Sequence, residues 1–100
     1  MIFNYIISRL ALKDIEDIWV FTAEHWSKQQ ANKYYKEMFE VINEICKNSE
    51  IGKPIDDIKK GHRRVNVNSH MIIYKIIHEN IYIDRILHQK MDIEKNLDEW

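Results

Sequence analysis

The residues best suited to chemistry or recognition lie together near the end of the chain, where an apolar run ends in Arg85, His88, Gln89 and Lys90. Arginine and lysine supply positive charge, glutamine supplies amide hydrogen bonds, and a histidine with an ordinary pKa of about 6.5 exchanges protons near neutral pH. Polar groups at the end of a buried strand are presented at one rim of a sheet, where a partner can reach them. We therefore predict that function resides at this rim.

Each candidate residue also has a structural interpretation. Arg85 is expected either to contact a target or to pair with a neighbouring carboxylate as a solvated edge charge, whereas for His88 we favour a hydrogen-bonded rim residue over a general acid or base. Arg63 and Arg64 open another apolar run, and strand alternation sends them to opposite faces. Tyr74 lies among isoleucines, so we favour a core tyrosine with a hydrogen-bonded hydroxyl over a residue that contacts substrate.

The first half of the chain has the pattern of one strand and two helices. Residues Ile2 to Ser8 are rich in β-branched and aromatic types and predict a strand. Ser8 is a predicted N-cap, and Ser27 with Gln30 has the spacing of a capping box that starts a second helix near Lys28. The predicted apolar faces of the helices are Ala11, Ile15, Ile18, Thr22 and Trp26, with Trp19 beside them, and Ala31, Tyr35, Met38, Ile42 and Ile45.

The second half changes to a period of two. After a loop that contains both glycines and the only proline, three runs predict strands at Arg63 to Val67, His70 to Ile77 and Ile81 to His88. The short separations between these runs predict tight hairpins and hence antiparallel neighbours. The order β-α-α-β-β-β predicts a two-layer α+β domain in which an N-terminal strand and a three-stranded antiparallel meander are covered on one face by a helical hairpin. We expect the other face to be partly open.

Composition limits the classes of function. Hydrophobic residues make up 45% and charged residues 31% of the 100-residue chain, which is typical of one globular domain and predicts a single domain over residues 1–100. Fifteen basic and sixteen acidic side chains give a formal net charge of −1, so we expect no strong direct binding to nucleic acid. Cys46 has no disulfide partner, the five histidines lack metal-site spacing, and we expect no metal and no cofactor. We expect neither export nor membrane insertion, and therefore a cytoplasmic protein.

With this order of elements in place, five segments resemble the bacterial RelE/ParE superfamily of toxins from type II toxin–antitoxin systems. Each motif is weak alone, and their order and spacing carry the match. The segments are SRLALKDIEDIW, HWSKQQANKYY, GKPIDDIKKGHRRV, HMIIYKI and IYIDRILHQKMD.

The resemblance implies one of two activities. ParE-like toxins bind DNA gyrase and trap its complex with cleaved DNA, whereas RelE-like toxins cut messenger RNA in the ribosomal A site. In the ribonuclease branch, the strand that matches HMIIYKI usually carries an arginine that stabilises the scissile phosphate, and this sequence has Met71 there. The ending RILHQKMD is also more similar to the ParE branch. We therefore expect a ParE-like gyrase inhibitor, and not an enzyme.

The resemblance also implies a partner, a cognate antitoxin whose segment orders on the toxin as an amphipathic helix or an added strand. Trp19 and Tyr34 are the candidate antitoxin contacts. Arg85, His88, Gln89 and Lys90 are the candidate contacts to DNA gyrase or topoisomerase IV. Two alternatives stay open: a non-toxic antitoxin-binding module, and a messenger RNA endonuclease whose phosphate-binding and proton-transfer residues would be Arg63 or Arg64, Tyr74, Arg85 and His88.

Overall fold

A computed structural model describes residues 3–90 of the chain. The elements in chain order are β1 (Asn4–Ile7), α1 (Arg9–His25), α2 (Lys28–Lys47), β2 (Lys53–Pro54), β3 (His62–Val67), β4 (His70–Ile77) and β5 (Asn80–His88). One five-stranded sheet has the order β1-β5-β4-β3-β2, in which β1 is parallel to β5 and all other neighbours are antiparallel. The predicted α+β architecture is confirmed, and the two-residue strand β2 was not predicted.

Local capping fixes where both helices begin, as the sequence predicted. Ser8 and Ser27 have extended backbone, and their hydroxyls accept hydrogen bonds from the N–H groups of Ala11 and Gln30, each at 3.0 Å. These bonds satisfy backbone donors that have no partner inside the helix. The single residue Trp26 between His25 and the second cap leaves room only for an abrupt reversal, so the two helices form an antiparallel pair.

Two tight turns set the register of the meander. Asn68 and His78 have φ of 51° and 54°, the left-handed conformation that two-residue hairpin loops require. They connect β3 to β4 and β4 to β5, and the second strand pair begins at Ile77 opposite Asn80. The second loop is therefore one residue shorter than the sequence predicted.

The main core lies between the helical pair and the sheet. The predicted stripes of both helices supply buried residues, and strands β4 and β5 supply most of the others. The buried apolar side chains of this layer are Ala11, Ile15, Met38, Ile42, Ile45, Cys46, Val67, Ile72, Tyr74, Ile81, Ile83 and Ile86. Tyr74 is therefore a core residue, as we favoured.

We expected the opposite face of the sheet to be partly open, but apolar side chains are buried there. Met71, Ile73 and Leu87 form a second apolar cluster with Ile55, and all four side chains are buried. Ile55 follows β2, so the loop before β3 contributes to this face.

Trp26 and Tyr35, both predicted on core-facing helical stripes, are exposed. Trp26 does not pack on the helical stripe, because its φ of −127° and ψ of −85° leave helical geometry, and 76% of the residue is exposed. The expected terminal helical segment, with Asp92 as cap and Ile93, Leu97 and Trp100 as apolar contacts, lies outside the described residues.

Candidate functional site

A β-bulge in the last strand sets the direction of its polar residues. The register between β4 and β5 shifts at Ile73 and Tyr74, so that Asp84 is an extra residue on β5. Its carbonyl oxygen accepts a hydrogen bond from the Ser8 hydroxyl at 2.8 Å, and its carboxylate lies 2.8 Å from Nε2 of His62. The bulge is therefore held by the start of α1 on one side and by β3 on the other.

Beyond the bulge, Arg85 points into the protein and not to an exposed rim. Its Nε and Nη2 donate to Oδ2 and Oδ1 of Asp14 on α1 at 2.8 and 3.0 Å, and the backbone N–H of Ile86 donates to the same carboxylate at 3.0 Å. The Arg85 and Asp14 side chains are only 9% and 15% exposed. Of the two expectations for Arg85, the structure shows pairing with a carboxylate, but the pair is buried and not solvated, because Arg85 faces Asp14 on α1.

β5 ends at the half-buried His88, and the exposed Gln89 and Lys90 follow it; we call these three residues the strand-end patch. The Gln89 side chain donates to Asn68 O at 2.8 Å and its backbone N–H donates to Ser69 O at 2.9 Å. The Lys90 N–H donates to Nδ1 of His88 at 3.1 Å. The β3–β4 turn therefore holds Gln89, the His88 ring holds the backbone of Lys90, and Gln89 and Lys90 are exposed.

A groove of about 670 Å³ lies beside this patch, between the helical pair and the β3–β4 turn. We call it the large groove. Its exposed apolar residues come from α1 and the helix junction, and its polar residues come from α2 and the strand ends. The lining residues are Asp17, Ile18, Phe21, Thr22, Trp26, Gln30, Lys33, Tyr34, Glu37, Asn68, Ser69, His70 and His88.

A tyrosine and two histidines form the polar end of the large groove. The Tyr34 hydroxyl donates to Val67 O at 3.0 Å and lies 2.5 Å from Nδ1 of His70. The Tyr34 hydroxyl therefore links the β3 backbone to the His70 ring. Burial, and to a smaller degree the neighbouring His88, lowers the pKa of His70 to about 4, and burial raises the pKa of Tyr34. The rings of His70 and His88 pack edge to face, with their centroids 5.2 Å apart.

The two predicted antitoxin contacts lie in different grooves. Tyr34 lines the large groove, whereas Trp19 lines a second groove of about 640 Å³ with Leu12, Val20 and Tyr35. The Trp19 indole N–H donates to the side-chain oxygen of Asn32 on α2 at 3.0 Å. The two residues therefore mark opposite flanks of the helical pair.

Comparison with known proteins decides the family. The sequence model of the ParE toxin of type II toxin–antitoxin systems, parDE, matches residues 5–93. This chain belongs to the ParE toxin family. A Toxin ParE1 of Mycobacterium tuberculosis is 35% identical over 95 residues, which cover 94% of this chain and 97% of the relative. A Toxin ParE1 of Caulobacter vibrioides is 32% identical over 93 residues, covering 93% and 96%.

A solved structure shows the same fold. A chain of the chromosomal ParDE toxin–antitoxin system from P. aeruginosa superposes with a TM-score of 0.76 at 16% identity, covering 87% of this chain and 96% of that chain. The family that the sequence resembled, and its fold, are therefore confirmed. Within the described part of the toxin, no helix is long and apolar enough to cross a membrane.

The five residues considered for a ribonuclease do not meet in one cavity of this ParE-family toxin. Tyr74 is buried, where its hydroxyl donates to Ser49 O at 2.8 Å and accepts from the Gly52 N–H at 2.9 Å. Arg63 donates to Gly52 O at 2.8 Å, so that it supports the same loop. Arg85 pairs with Asp14, and only His88 lines the large groove.

Arg64 is the one candidate whose position matches the ribonuclease pattern in part. Its Nη1 lies 3.4 Å from the sulfur of Met71. A guanidinium from β3 is therefore close to the position where the resemblance placed the missing arginine on β4.

The sequence analysis missed two residues of this region of the toxin, Asp14 and His70. Asp14 follows Ala11 by three residues and precedes Ile18 by four, so it interrupts the apolar stripe of α1. A carboxylate in such a stripe indicates a buried cationic partner. His70 had no comparable local signal, because the hairpin register brings it beside His88 and the packing of α2 brings it to Tyr34. Among residues 3–90, no three His, Cys, Asp or Glu side chains are grouped to hold a metal ion.

Proposed function

We propose that this ParE-family toxin inhibits DNA gyrase in the cytoplasm by binding it as a protein and trapping the cleaved-DNA complex. The observation that carries the proposal is the position of the ribonuclease candidates: Tyr74 and Arg85 are buried in structural contacts and are not available to a phosphate. A general acid or base must reach the proton that it transfers. Among the described residues, Tyr74 is therefore withdrawn from proton transfer and Arg85 from phosphate binding, which supports action by surface binding.

The strand-end patch is the proposed gyrase contact. Gln89 and Lys90 are exposed, the β3–β4 turn holds Gln89 and the His88 ring accepts from the Lys90 N–H, so a partner can bind them with little loss of conformational freedom. His88 joins this patch to the large groove. Arg85 supports the patch from inside, through Asp14 and α1. Topoisomerase IV is the related target on which the same patch would act.

A gyrase supercoiling assay tests the proposal. We expect the purified chain to inhibit supercoiling of relaxed plasmid, and Lys90→Glu to weaken this inhibition by about tenfold, because a reversed charge opposes a contact evolved for a cation. Lys53→Glu is the matched control, since Lys53 is exposed on β2 at the far edge of the sheet. Full inhibition by Lys90→Glu would remove the patch from the proposed interface.

One observation favours the ribonuclease alternative, which is the position of Arg64 beside Met71. Addition of the chain to a translating extract, with primer extension on the message, tests it. Cleavage of the message that is lost in Arg64→Ala, with supercoiling unaffected by the parent chain, would replace the gyrase proposal.

We further propose that a cognate antitoxin neutralises the toxin by laying an amphipathic segment in the large groove. Phe21 and Trp26 in its lining are exposed aromatic residues, which are typical anchors of protein interfaces. Trp26→Ala should weaken binding of the protein encoded beside this gene by about 2 kcal/mol or more, with no loss of stability because the residue is 76% exposed. Trp19→Ala tests the other flank. A larger effect of Trp19→Ala would move the antitoxin to the second groove.

A further inference from the structure

The two edges of the sheet differ in a way that bears on association. At one edge, β2 has only two residues, and Lys53 and Pro54 are both exposed. Short length, lysine and proline are devices that prevent pairing with another strand. At the other edge, β1 (Asn4–Ile7) carries neither charge nor proline, and Tyr5 and Ile6 are 39% and 45% exposed. An edge of that kind is a template for an added strand.

Backbone alternation shows which groups face outward. The Ser8 N–H donates to Ile83 O at 2.9 Å, so the backbone of Ile6, two residues earlier, also faces β5. The N–H and C=O groups of Tyr5 and Ile7 then point away from the sheet. On this outer side the Phe3 N–H already donates to Cys46 O at 2.9 Å. The unpaired part of the edge therefore starts after Phe3. Tyr5 and Ile7 therefore present the backbone groups to which a further strand would bind.

We propose that two copies of this chain associate through β1, antiparallel and across a twofold axis at Ile6. With this register, Tyr5 of one copy exchanges both backbone hydrogen bonds with the partner's Ile7, and Ile7 does the same with the partner's Tyr5. The outward groups of both strands are then paired. The two Ile6 side chains face each other as a non-hydrogen-bonded pair, in which Cα atoms approach to about 4.5 Å. The two five-stranded sheets become one continuous sheet.

Three features favour a second copy as the occupant. Identical uncharged strands do not repel, and the formal net charge of −1 per chain adds little repulsion. Tyr5 packs on Phe39 with ring centroids 6.4 Å apart, and Phe39 packs on Tyr35 at 4.8 Å, so an apolar surface continues from β1 onto α2. A twofold contact uses the same surface on both copies and is complete in a dimer. The short β2 edge, with Lys53 and Pro54, disfavours pairing with further copies.

The contact is small, so the dimer should be weak, with a Kd on the order of 10–100 µM. Sedimentation velocity of the purified chain across this range should show a monomer–dimer equilibrium. Amide hydrogen exchange followed by NMR supplies a residue-level readout: the amides of Tyr5 and Ile7 should exchange several-fold more slowly as concentration rises. The amide of Ile6, which already faces β5, should not change.

Two variants and one control complete the test. Tyr5→Pro removes an outward N–H and leaves the β1–β5 bonds intact, because proline is tolerated at edge positions whose N–H faces solvent. Ile6→Lys places two like charges at the twofold axis. Both variants should sediment as monomers, whereas Ile58→Lys, which changes a 37% exposed isoleucine in the loop before β3, should dimerise like the parent.

A parent chain that stays monomeric at about 1 mM, a concentration at which even weak association is detected, would overturn the proposal. A Tyr5→Pro chain that is folded by circular dichroism and still dimerises would also overturn it, because another surface would then be responsible. If the parent is monomeric and Tyr5→Pro instead loses binding to the protein encoded beside this gene, the edge belongs to the antitoxin. None of these outcomes depends on gyrase inhibition.

Discussion

Replacement of Arg85 by methionine should destabilise the protein far more than loss of a surface charge. The guanidinium makes two hydrogen bonds to Asp14, at 2.8 and 3.0 Å, and both side chains are at most 15% exposed. Methionine keeps much of the apolar stem, so the loss is mainly that of the ion pair. The Asp14 carboxylate would then be buried with one remaining donor, the N–H of Ile86. Breaking a buried pair by removing one partner costs about 3–5 kcal/mol.

Urea unfolding at neutral pH measures this cost as a lower midpoint at constant m value. Lys13→Met is the matched control, because Lys13 pairs with Asp17 at 3.1 Å on the surface, where the side chains are 69% and 66% exposed. Such an exposed pair contributes only about 0.3–0.5 kcal/mol. The double variant Asp14→Leu with Arg85→Met removes both charges and should recover most of the loss, leaving roughly 1 kcal/mol for the unpaired N–H of Ile86.

Two results would refute this reasoning. One is an Arg85→Met chain that loses no more stability than Lys13→Met, which would mean that the pair is solvated in solution. The other is a double variant whose loss of stability equals the sum of the losses measured for Asp14→Leu alone and Arg85→Met alone, which would mean that Asp14 and Arg85 do not interact.

Three further predictions follow from the described contacts. The pKa of His70 is lowered from 6.5 to about 4, so the unfolded chain binds more protons between these values and stability should fall as pH drops through this window. His70→Asn removes the titrating ring, so its urea midpoints should depend less on pH. Gly52→Ala should cost about 2–3 kcal/mol in urea unfolding, because the added Cβ would lie 2.6 Å from Tyr74 Oη, whereas Gly61→Ala meets no atom within 4 Å and should cost only about 1 kcal/mol for its φ of 80°. Tyr74→Phe should cost about 1–3 kcal/mol by thermal or urea unfolding, because it leaves the buried Gly52 N–H without its acceptor.

Much of the fold follows from signals that act over a few residues. Ser8 and Ser27 cap helices through hydroxyls that contact N–H groups three residues away, so the sequence alone places both helix starts. Asn68 adopts the left-handed conformation that its type favours in a two-residue turn. The apolar period of two then locates β4 at His70 to Ile77 without error.

The differences arise where distant segments decide. Arg85 meets Asp14, 71 residues earlier in the chain, through a bulge that strand alternation does not reveal. The sequence analysis placed Pro54 in a loop, and β2 forms because two residues at an edge can pair with β3. Trp26 lies at a helix end, where periodicity no longer predicts direction. The large groove combines two helices with two strand ends, so its composition could not be predicted before the helices and sheet were assembled.

The central proposal is that this ParE-family toxin acts on gyrase by binding through the end of β5 and not by chemistry on RNA. The most direct measurement is gyrase-mediated cleavage of supercoiled plasmid in the presence of ATP, with linear DNA quantified after denaturation of the enzyme. We predict that linear DNA increases with the concentration of the parent chain, that Lys90→Glu reduces this increase, and that Lys53→Glu does not. No increase in linear DNA at any concentration of a folded chain, together with cleavage of ribosome-bound message, would contradict the proposal.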